Sequence, residues 1–172
     1  MNKSLKIILI LLPIILVLLA LTYIYFVFYH KSNYDNTIII TNPVVGLTDQ
    51  QAIEQFDESF VEFLLVSIGA QSLHNPPLSS NTPKIEIQLE DTTFSAEVKE
   101  RLITVSQNSI EDKDIIIRTT KAEAVKMLRD EEYIKQSFLE GSSTVELIAS
   151  KTTLFTKGYL KIYTDLTGET VE

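Results

Sequence analysis

An uncharged apolar stretch near the N-terminus constrains this chain more than any other feature. Residues 7–29 contain no charged side chain, and aromatic residues from Tyr23 to Tyr29 crowd the C-terminal end of the stretch. As a helix rising about 1.5 Å per residue, it would be about 34 Å long, enough to cross the hydrocarbon core of a bilayer. A cleaved signal peptide has a shorter apolar region that ends in small residues. The sequence therefore predicts a transmembrane helix that serves as an uncleaved signal anchor.

The charges around this stretch predict the orientation of the chain. Lys3 and Lys6 precede it, whereas His30 and Lys31 follow it. The positive-inside rule then favours a cytoplasmic N-terminus and a C-terminal domain outside, in a single-pass membrane protein. The predicted organisation is a cytoplasmic N-terminus over residues 1–6, a transmembrane helix over 7–29, a stalk over 30–47 and an α+β domain over 48–172.

The composition limits the partners and the chemistry of the chain. It has 23 Asp and Glu residues against 15 Lys and Arg, a net charge of −8, and no cysteine. Nucleic acid and anionic lipid both bind proteins that present clustered positive charge, so this acidity argues against a nucleic-acid partner. Without cysteine there is no disulfide, no thiolate metal site and no cysteine nucleophile.

Beyond residue 47 the apolar pattern predicts one helix followed by strands. Thr48 and Gln51 form a capping box, and apolar residues then recur at helical spacing from Asp49 to Ile68. After a proline-containing loop, apolar and polar residues alternate as in half-buried strands. The predicted strands cover residues 85–90, 94–99, 102–106 and 114–119.

The remaining third of the chain predicts helices around one more strand. Thr120 and Glu123 form a second capping box, which opens one helix. A second helix follows it and closes at Gly141. A strand is predicted over residues 144–149 and a last helix over 154–166, with a broad apolar face and Lys157 on its polar side. The predicted fold class is α+β: a transmembrane helix, then one domain with a largely antiparallel sheet covered by helices, in the order helix, strands, two helices, strand, helix.

This order, with several local matches, resembles the sterol carrier or lipid-transfer domain family. Residues 114–120 look like the family's last hairpin strand entering a helix, and residues 123–128 look like that helix. The segment Ser137-Phe138-Leu-Glu-Gly141 is similar to the family's F-x-x-G segment, and residues 154–166 resemble its closing helix. At the level of element order the resemblance covers about residues 48–168. It implies a non-catalytic protein that holds an apolar molecule between its sheet and the covering helices.

The last helix supplies the candidate ligand site. If its apolar face packs incompletely over the sheet, an acyl chain or a sterol can fill the gap, whereas a fully packed face is ordinary core. The tyrosines favour a site, because each hydroxyl needs water or a polar partner at the edge of it. The predicted ligand-binding residues are Met127, Phe138, Phe155, Tyr159, Ile162, Tyr163 and Leu166.

Other chemistry finds little support in the sequence. His74 lies in a proline-bounded loop without a nucleophile-elbow pattern, and no glycine pattern indicates a nucleotide cradle or another cofactor site. Glu111, Asp112 and Asp114 could coordinate calcium, but they lack the twelve-residue pattern of a calcium loop with its central glycine. We therefore predict no catalytic residues, no metal and no cofactor. The alternative function is a membrane-anchored interaction or assembly subunit whose acidic surface meets a basic partner.

Overall fold

The computed structural model describes residues 12, 15–23 and 40–171, and it divides the chain into two units, residues 1–39 and 40–172. In the first unit, residues 15–23 are helical. These nine described residues span about 14 Å at 1.5 Å per residue, less than half of the hydrocarbon core. Among the described residues, no helix combines the length and apolar character needed to cross a membrane.

The predicted transmembrane helix is therefore wrong, and the predicted single-pass localisation and signal anchor are wrong with it. The orientation, with a cytoplasmic N-terminus and the domain outside, depended on that helix and falls for the same reason. The other positions of the predicted span and residues 1–6 lie outside the described residues.

The second unit begins with a segment that was predicted as the end of a stalk. Residues 40–47 lie against the helices here: Val44 is buried, and the side-chain amide of Asn42 donates to the carbonyl of Leu128 at 2.7 Å. Residues 30–39 of the predicted stalk lie outside the described part of the chain.

Two short helices stand where one long helix was predicted. Helix α1 spans Asp49–Glu54 behind the Thr48 capping box, and helix α2 spans Glu58–Ser67. The break falls at Asp57, whose carboxylate accepts from the backbone N–H of Ser59 and so caps a new helix. A single 3₁₀ turn, Ala70–Ser72, follows.

The sheet has five strands in the order β3-β2-β1-β4-β5. Strands β1 and β4 pair in parallel, and every other neighbouring pair is antiparallel. The sheet is therefore largely antiparallel, with β3 and β5 at its edges. The strands are β1 Lys84–Leu89, β2 Thr92–Lys99, β3 Leu102–Ser106, β4 Ile115–Thr119 and β5 Thr144–Leu147.

Four helices complete the unit: α3 Lys121–Arg129, α4 Glu131–Leu139, α5 Lys151–Lys157 and α6 Tyr159–Thr167. The last two replace the single helix predicted over residues 154–166. Gly158 separates them because it takes a left-handed backbone, with φ 91°, which ends α5.

Strand alternation divides the sheet into an apolar face and a polar face. Ile85 and Ile87 of β1 are buried in one core with Phe94 of β2 and the apolar residues of the helices. The alternate residues, such as Gln88 and Arg118, point to the other face. The unit is thus a mixed α+β domain, whereas the transmembrane part of the predicted fold class is contradicted and its first and last helices are each replaced by two.

Candidate ligand-binding site around α6

The structure brings five of the seven predicted ligand residues into one apolar core. Met127 of α3, Phe138 of α4 and Tyr159, Ile162 and Leu166 of α6 are all buried there. Helices α4 and α6 pack directly against each other. The predicted face of α6 therefore exists, and its neighbour is α4.

The other two predicted residues lie away from this core. Phe155 of α5 is 71% exposed. Tyr163 is partly exposed on α6, and its hydroxyl donates to the carboxylate of Glu169 at 2.8 Å. That hydrogen bond, with some burial, raises the pKa of Tyr163.

The layer beneath α6 is filled by the side chains of the domain itself. Met127 has no accessible surface, and Tyr159 and Ile162 have almost none. A void that admits water would leave accessible surface on the residues that line it. Two crevices border the α4–α6 contact from outside this layer.

One opening lies beside β5. This β5 crevice has a volume of about 350 Å³. Phe138, Leu139 and Val145 supply its apolar walls, and Leu139 is 58% exposed although it is apolar. The polar groups of the crevice belong to Ser143, Thr144, Thr167 and Glu169.

A second opening lies at the other end of α4. This α2 crevice, of about 320 Å³, is lined by Ile68 behind α2, Ile134 of α4 and Leu166 of α6. Lys135 and the acids Glu131 and Asp165 also line it. Both volumes fall at the lower end of the range for small-molecule sites.

A buried ion pair fixes the first turn of α6. The ammonium of Lys157 lies 2.9 and 2.8 Å from the two carboxylate oxygens of Asp114, and it also donates to the carbonyl of Thr82 at 2.9 Å and to the side-chain oxygen of Asn81 at 3.2 Å. The hydroxyl of Tyr159 donates to Asp114 Oδ2 at 3.0 Å. We call Lys157, Asp114 and Tyr159 the Asp114 anchor.

The anchor removes Tyr159 from the set of groups free to meet a ligand head group. Burial, with the charge of Asp114 and its hydrogen bond, raises the pKa of Tyr159 far above its ordinary range. The hydroxyl thus stays protonated and remains a donor within the anchor. Lys157 was predicted on the polar side of the helix, but it is completely buried. The signal available in the sequence was its spacing, because it follows the buried Leu154 by three residues and so shares a helix face with it.

The polar face of the sheet carries a further buried acid, Glu86 of β1. Its carboxylate accepts from the Lys113 ammonium, from the Ser109 hydroxyl at 2.6 Å and from the Ile110 N–H at 3.3 Å. Gln88 donates to its other oxygen at 2.8 Å. Burial raises the pKa of Glu86, but these hydrogen bonds, led by that from Lys113, outweigh it and lower the pKa to about 2.

The same face has a crevice of about 460 Å³ between β2, β3 and residues 108–111. Eight of the nine residues that line it have hydroxyl, amide or charged side chains. Of the three acids considered for calcium, Asp114 is engaged in the anchor. In the part of the chain that the structure describes, no three histidine or carboxylate groups are placed to hold a metal ion.

No protein-family model and no curated protein matches this chain. Solved structures that match include sterol carrier proteins. A UbiJ-SCP2 ubiquinone synthesis protein is 18% identical, with 58% of this chain and 81% of that chain covered and a TM-score of 0.36. Sterol carrier protein 2 like 2 from Aedes aegypti is 12% identical over 53% and 84% of the two chains, with a TM-score of 0.35. Apo sterol carrier protein 2 from Yarrowia lipolytica is 14% identical over 66% and 83%, with a TM-score of 0.30.

These loose matches are to proteins of the same family that the sequence resembles. What those proteins bind does not transfer to this chain at such scores. The function proposed below rests on the contacts of this chain itself.

Proposed function

We propose that the domain binds an apolar ligand, a lipid, a sterol or a fatty acyl chain, where α4 meets α6, and that it is not an enzyme. The observation that supports this is the access of solvent to the apolar α4–α6 contact from two sides. Phe138 and Leu139 line the β5 crevice, and Leu166 lines the α2 crevice. A ligand in either crevice touches a residue of the predicted site.

The β5 crevice favours an apolar guest with one polar end. Covering the exposed part of Leu139 gains about 25 cal/mol for each Å² of apolar surface removed from water. The Ser143 and Thr167 hydroxyls beside this apolar wall already hydrogen-bond within the domain, so the Thr144 hydroxyl is the one that can orient a polar head group.

The two ends of α6 differ in a way that allows a longer guest to enter. Tyr159 at its start is held by the Asp114 anchor, whereas Ile162 and Leu166 contribute apolar packing. An acyl chain can replace apolar contacts at little cost, because it restores the same kind of surface burial. We therefore expect a guest to part the C-terminal half of α6 from α4 while the first turn stays in place.

Leu139→Ser tests the β5 crevice against a matched exposed leucine. Leu102 of β3 is 57% exposed but does not line the crevice, so Leu102→Ser is the control. We expect Leu139→Ser to weaken binding of a fluorescent fatty acid or sterol about tenfold, from about 1.4 kcal/mol of lost apolar contact. The control keeps the affinity of the parent.

The measurement uses delipidated full-length chain and a fluorescence titration, with mass spectrometry of the organic extract of native protein. Equal weakening by both substitutions would remove the β5 crevice from the proposal. Delipidated protein that takes up neither probe, together with an empty extract, would contradict apolar-ligand binding itself.

A second candidate function, a protein-interaction module, is favoured by the charge of α1 and α2. Their segment carries Asp49, Glu54, Asp57, Glu58 and Glu62, and no Lys or Arg occurs from residue 49 to residue 83. A basic partner complements such a surface, and salt screens the attraction. We expect a stoichiometric partner to be recovered in a pull-down at low salt and lost at moderate salt. Recovery of the chain alone at low salt would contradict this function.

A further inference from the structure

Three exposed apolar side chains lie on segments that are bonded to the Asp114 anchor or belong to it. Leu78 is fully exposed, Phe155 is 71% exposed and Ile148 is 46% exposed. None of them lines the β5 or α2 crevice. They are therefore not explained by the function proposed above.

The anchor ties the segments that carry these side chains to one point. The backbone N–H of His74 donates to the carbonyl of Lys157, and the Lys157 ammonium holds Asn81 and Thr82. Both stems of the loop of residues 74–82 therefore meet the end of α5, and Leu78 lies midway between them. On the other side, the N–H of Ile148 donates to the carbonyl of Asp114 at 2.9 Å.

Phe155 lies in the last turn of α5, beside the Lys157 carbonyl that holds the start of the loop, and helix geometry turns it outward. It precedes Lys157 by two residues, which turns its side chain about 200° around α5 from the buried ammonium. Because Lys157 points inward, Phe155 points outward. We call the loop 74–82, Ile148 and α5 the anchor face.

The tip of the loop holds its leucine in an unusual conformation. Leu78 follows Pro76 and Pro77 and has a left-handed backbone, with φ 61°, which non-glycine residues rarely adopt. The N–H of Ser79 donates to the carbonyl of Pro76 at 3.0 Å and closes the turn. An apolar side chain is thus presented at a protruding turn rather than packed into the core.

The anchor face also differs in charge from the rest of this acidic chain. Neither residues 63–85 nor residues 147–164 contain an Asp or Glu, whereas Lys84, Lys151, Lys157 and Lys161 lie within them. Of the described carboxylates that hydrogen-bond to these segments, two pair with a lysine and two accept from a hydroxyl, among them Glu169, which accepts from Tyr163 at 2.8 Å. Asp114 pairs with Lys157, Asp165 pairs with Lys161, and Glu97 accepts from the Thr82 hydroxyl at 3.2 Å.

We propose that the anchor face docks the domain on the surface of a lipid bilayer, with Leu78 and Phe155 entering the interface. Protruding apolar side chains among Ser, Thr and Asn residues suit the boundary between head groups and acyl chains. The anchor face itself contains no Asp or Glu and carries Lys151 on α5, which suits the negative potential of a leaflet that repels the acidic surfaces of this domain. The proposal concerns this face alone and does not depend on the ligand site.

The chain contains no tryptophan, so a single introduced tryptophan reports on one position. We would compare Leu78→Trp, Phe155→Trp and the control Leu102→Trp, whose site on β3 follows the charged residues Glu100 and Arg101. Full-length chain is mixed with vesicles of phosphatidylcholine and phosphatidylglycerol in equal parts, or of phosphatidylcholine alone. Because the probe is local, it reports on the anchor face even if another part of the chain also meets the vesicles.

We expect blue-shifted emission, and severalfold stronger quenching by brominated lipid, for Leu78→Trp and Phe155→Trp than for Leu102→Trp. Adding Lys151→Glu to either variant should lower the quenching more on the anionic vesicles than on vesicles of phosphatidylcholine alone. Equal quenching at all three positions, or none at positions 78 and 155, would overturn the proposal. A blue shift that follows protein concentration without vesicles would assign the face to a second copy of the chain, and would also overturn it.

Discussion

Lys157→Met is expected to lower the free energy of unfolding by about 3–5 kcal/mol. The substitution removes the cation but leaves the Asp114 carboxylate buried, with only the Tyr159 hydroxyl and the backbone N–H of Lys84 as donors. An uncompensated buried charge costs far more than the small net value of a buried ion pair. Urea unfolding followed by circular dichroism measures the loss.

Lys161→Met is the matched control for this experiment. Lys161 also pairs with an aspartate, Asp165, but its side chain is 77% exposed. Exposed pairs of this kind contribute about 0–1 kcal/mol, because water and salt screen them. A similar loss from both substitutions, or a loss below about 1 kcal/mol from Lys157→Met, would contradict the role of the anchor.

Strands β1 and β2 could be predicted from a local alternation, and β4 from its apolar run over residues 115–117. Ile85 and Ile87 alternate with polar neighbours and are buried on the helix-covered face. The capping box at Thr48 likewise depends on residues that are close in sequence. Local patterns do not determine the pairing of β1 with β4, because it joins segments that are distant in the chain.

The helix breaks were missed because apolar spacing continues across them. Asp57 is the N-cap of a new helix, and Gly158 takes a left-handed backbone that ends α5. That break also explains the candidate site. A continuous helix would place Phe155 on the same face as Tyr159 and Ile162, but the turn at Gly158 resets the rotation, so Phe155 faces outward.

The apolar N-terminal stretch shows the limit of hydropathy. Uncharged residues 7–29 satisfy the length and composition of a span, and the prediction rested on those two properties alone. The described helical residues 15–23 are too few to cross a bilayer. The Asp114 anchor was missed for another reason, since its partners meet only after the fold has brought β4 and α5 together.

Glu86 is expected to contribute about 3 kcal/mol of stability near neutral pH. Its side chain is only 2% exposed, and its pKa is lowered from 4.5 to about 2. A pKa lowered by this amount corresponds to about 3 kcal/mol of preference for the ionised form in the folded state. In the unfolded chain Glu86 titrates near 4.5, so this stability is present above pH 4.5 and is lost as the pH falls toward 2.

Glu86→Gln isolates this contribution from that of the other carboxylates. Glutamine keeps the shape of the side chain but cannot pair with Lys113 as an anion, so the variant should be less stable by about 3 kcal/mol at pH 7. The difference between parent and variant should then shrink as the pH is lowered from 4.5 toward 2. Because the remaining acids, including Glu123 with its own lowered pKa, are present in both proteins, their titration cancels in the difference. A difference in unfolding free energy that stays constant over this range would show that the Glu86 cluster acts through packing alone, without the charge that now holds residues 109–113 across the sheet.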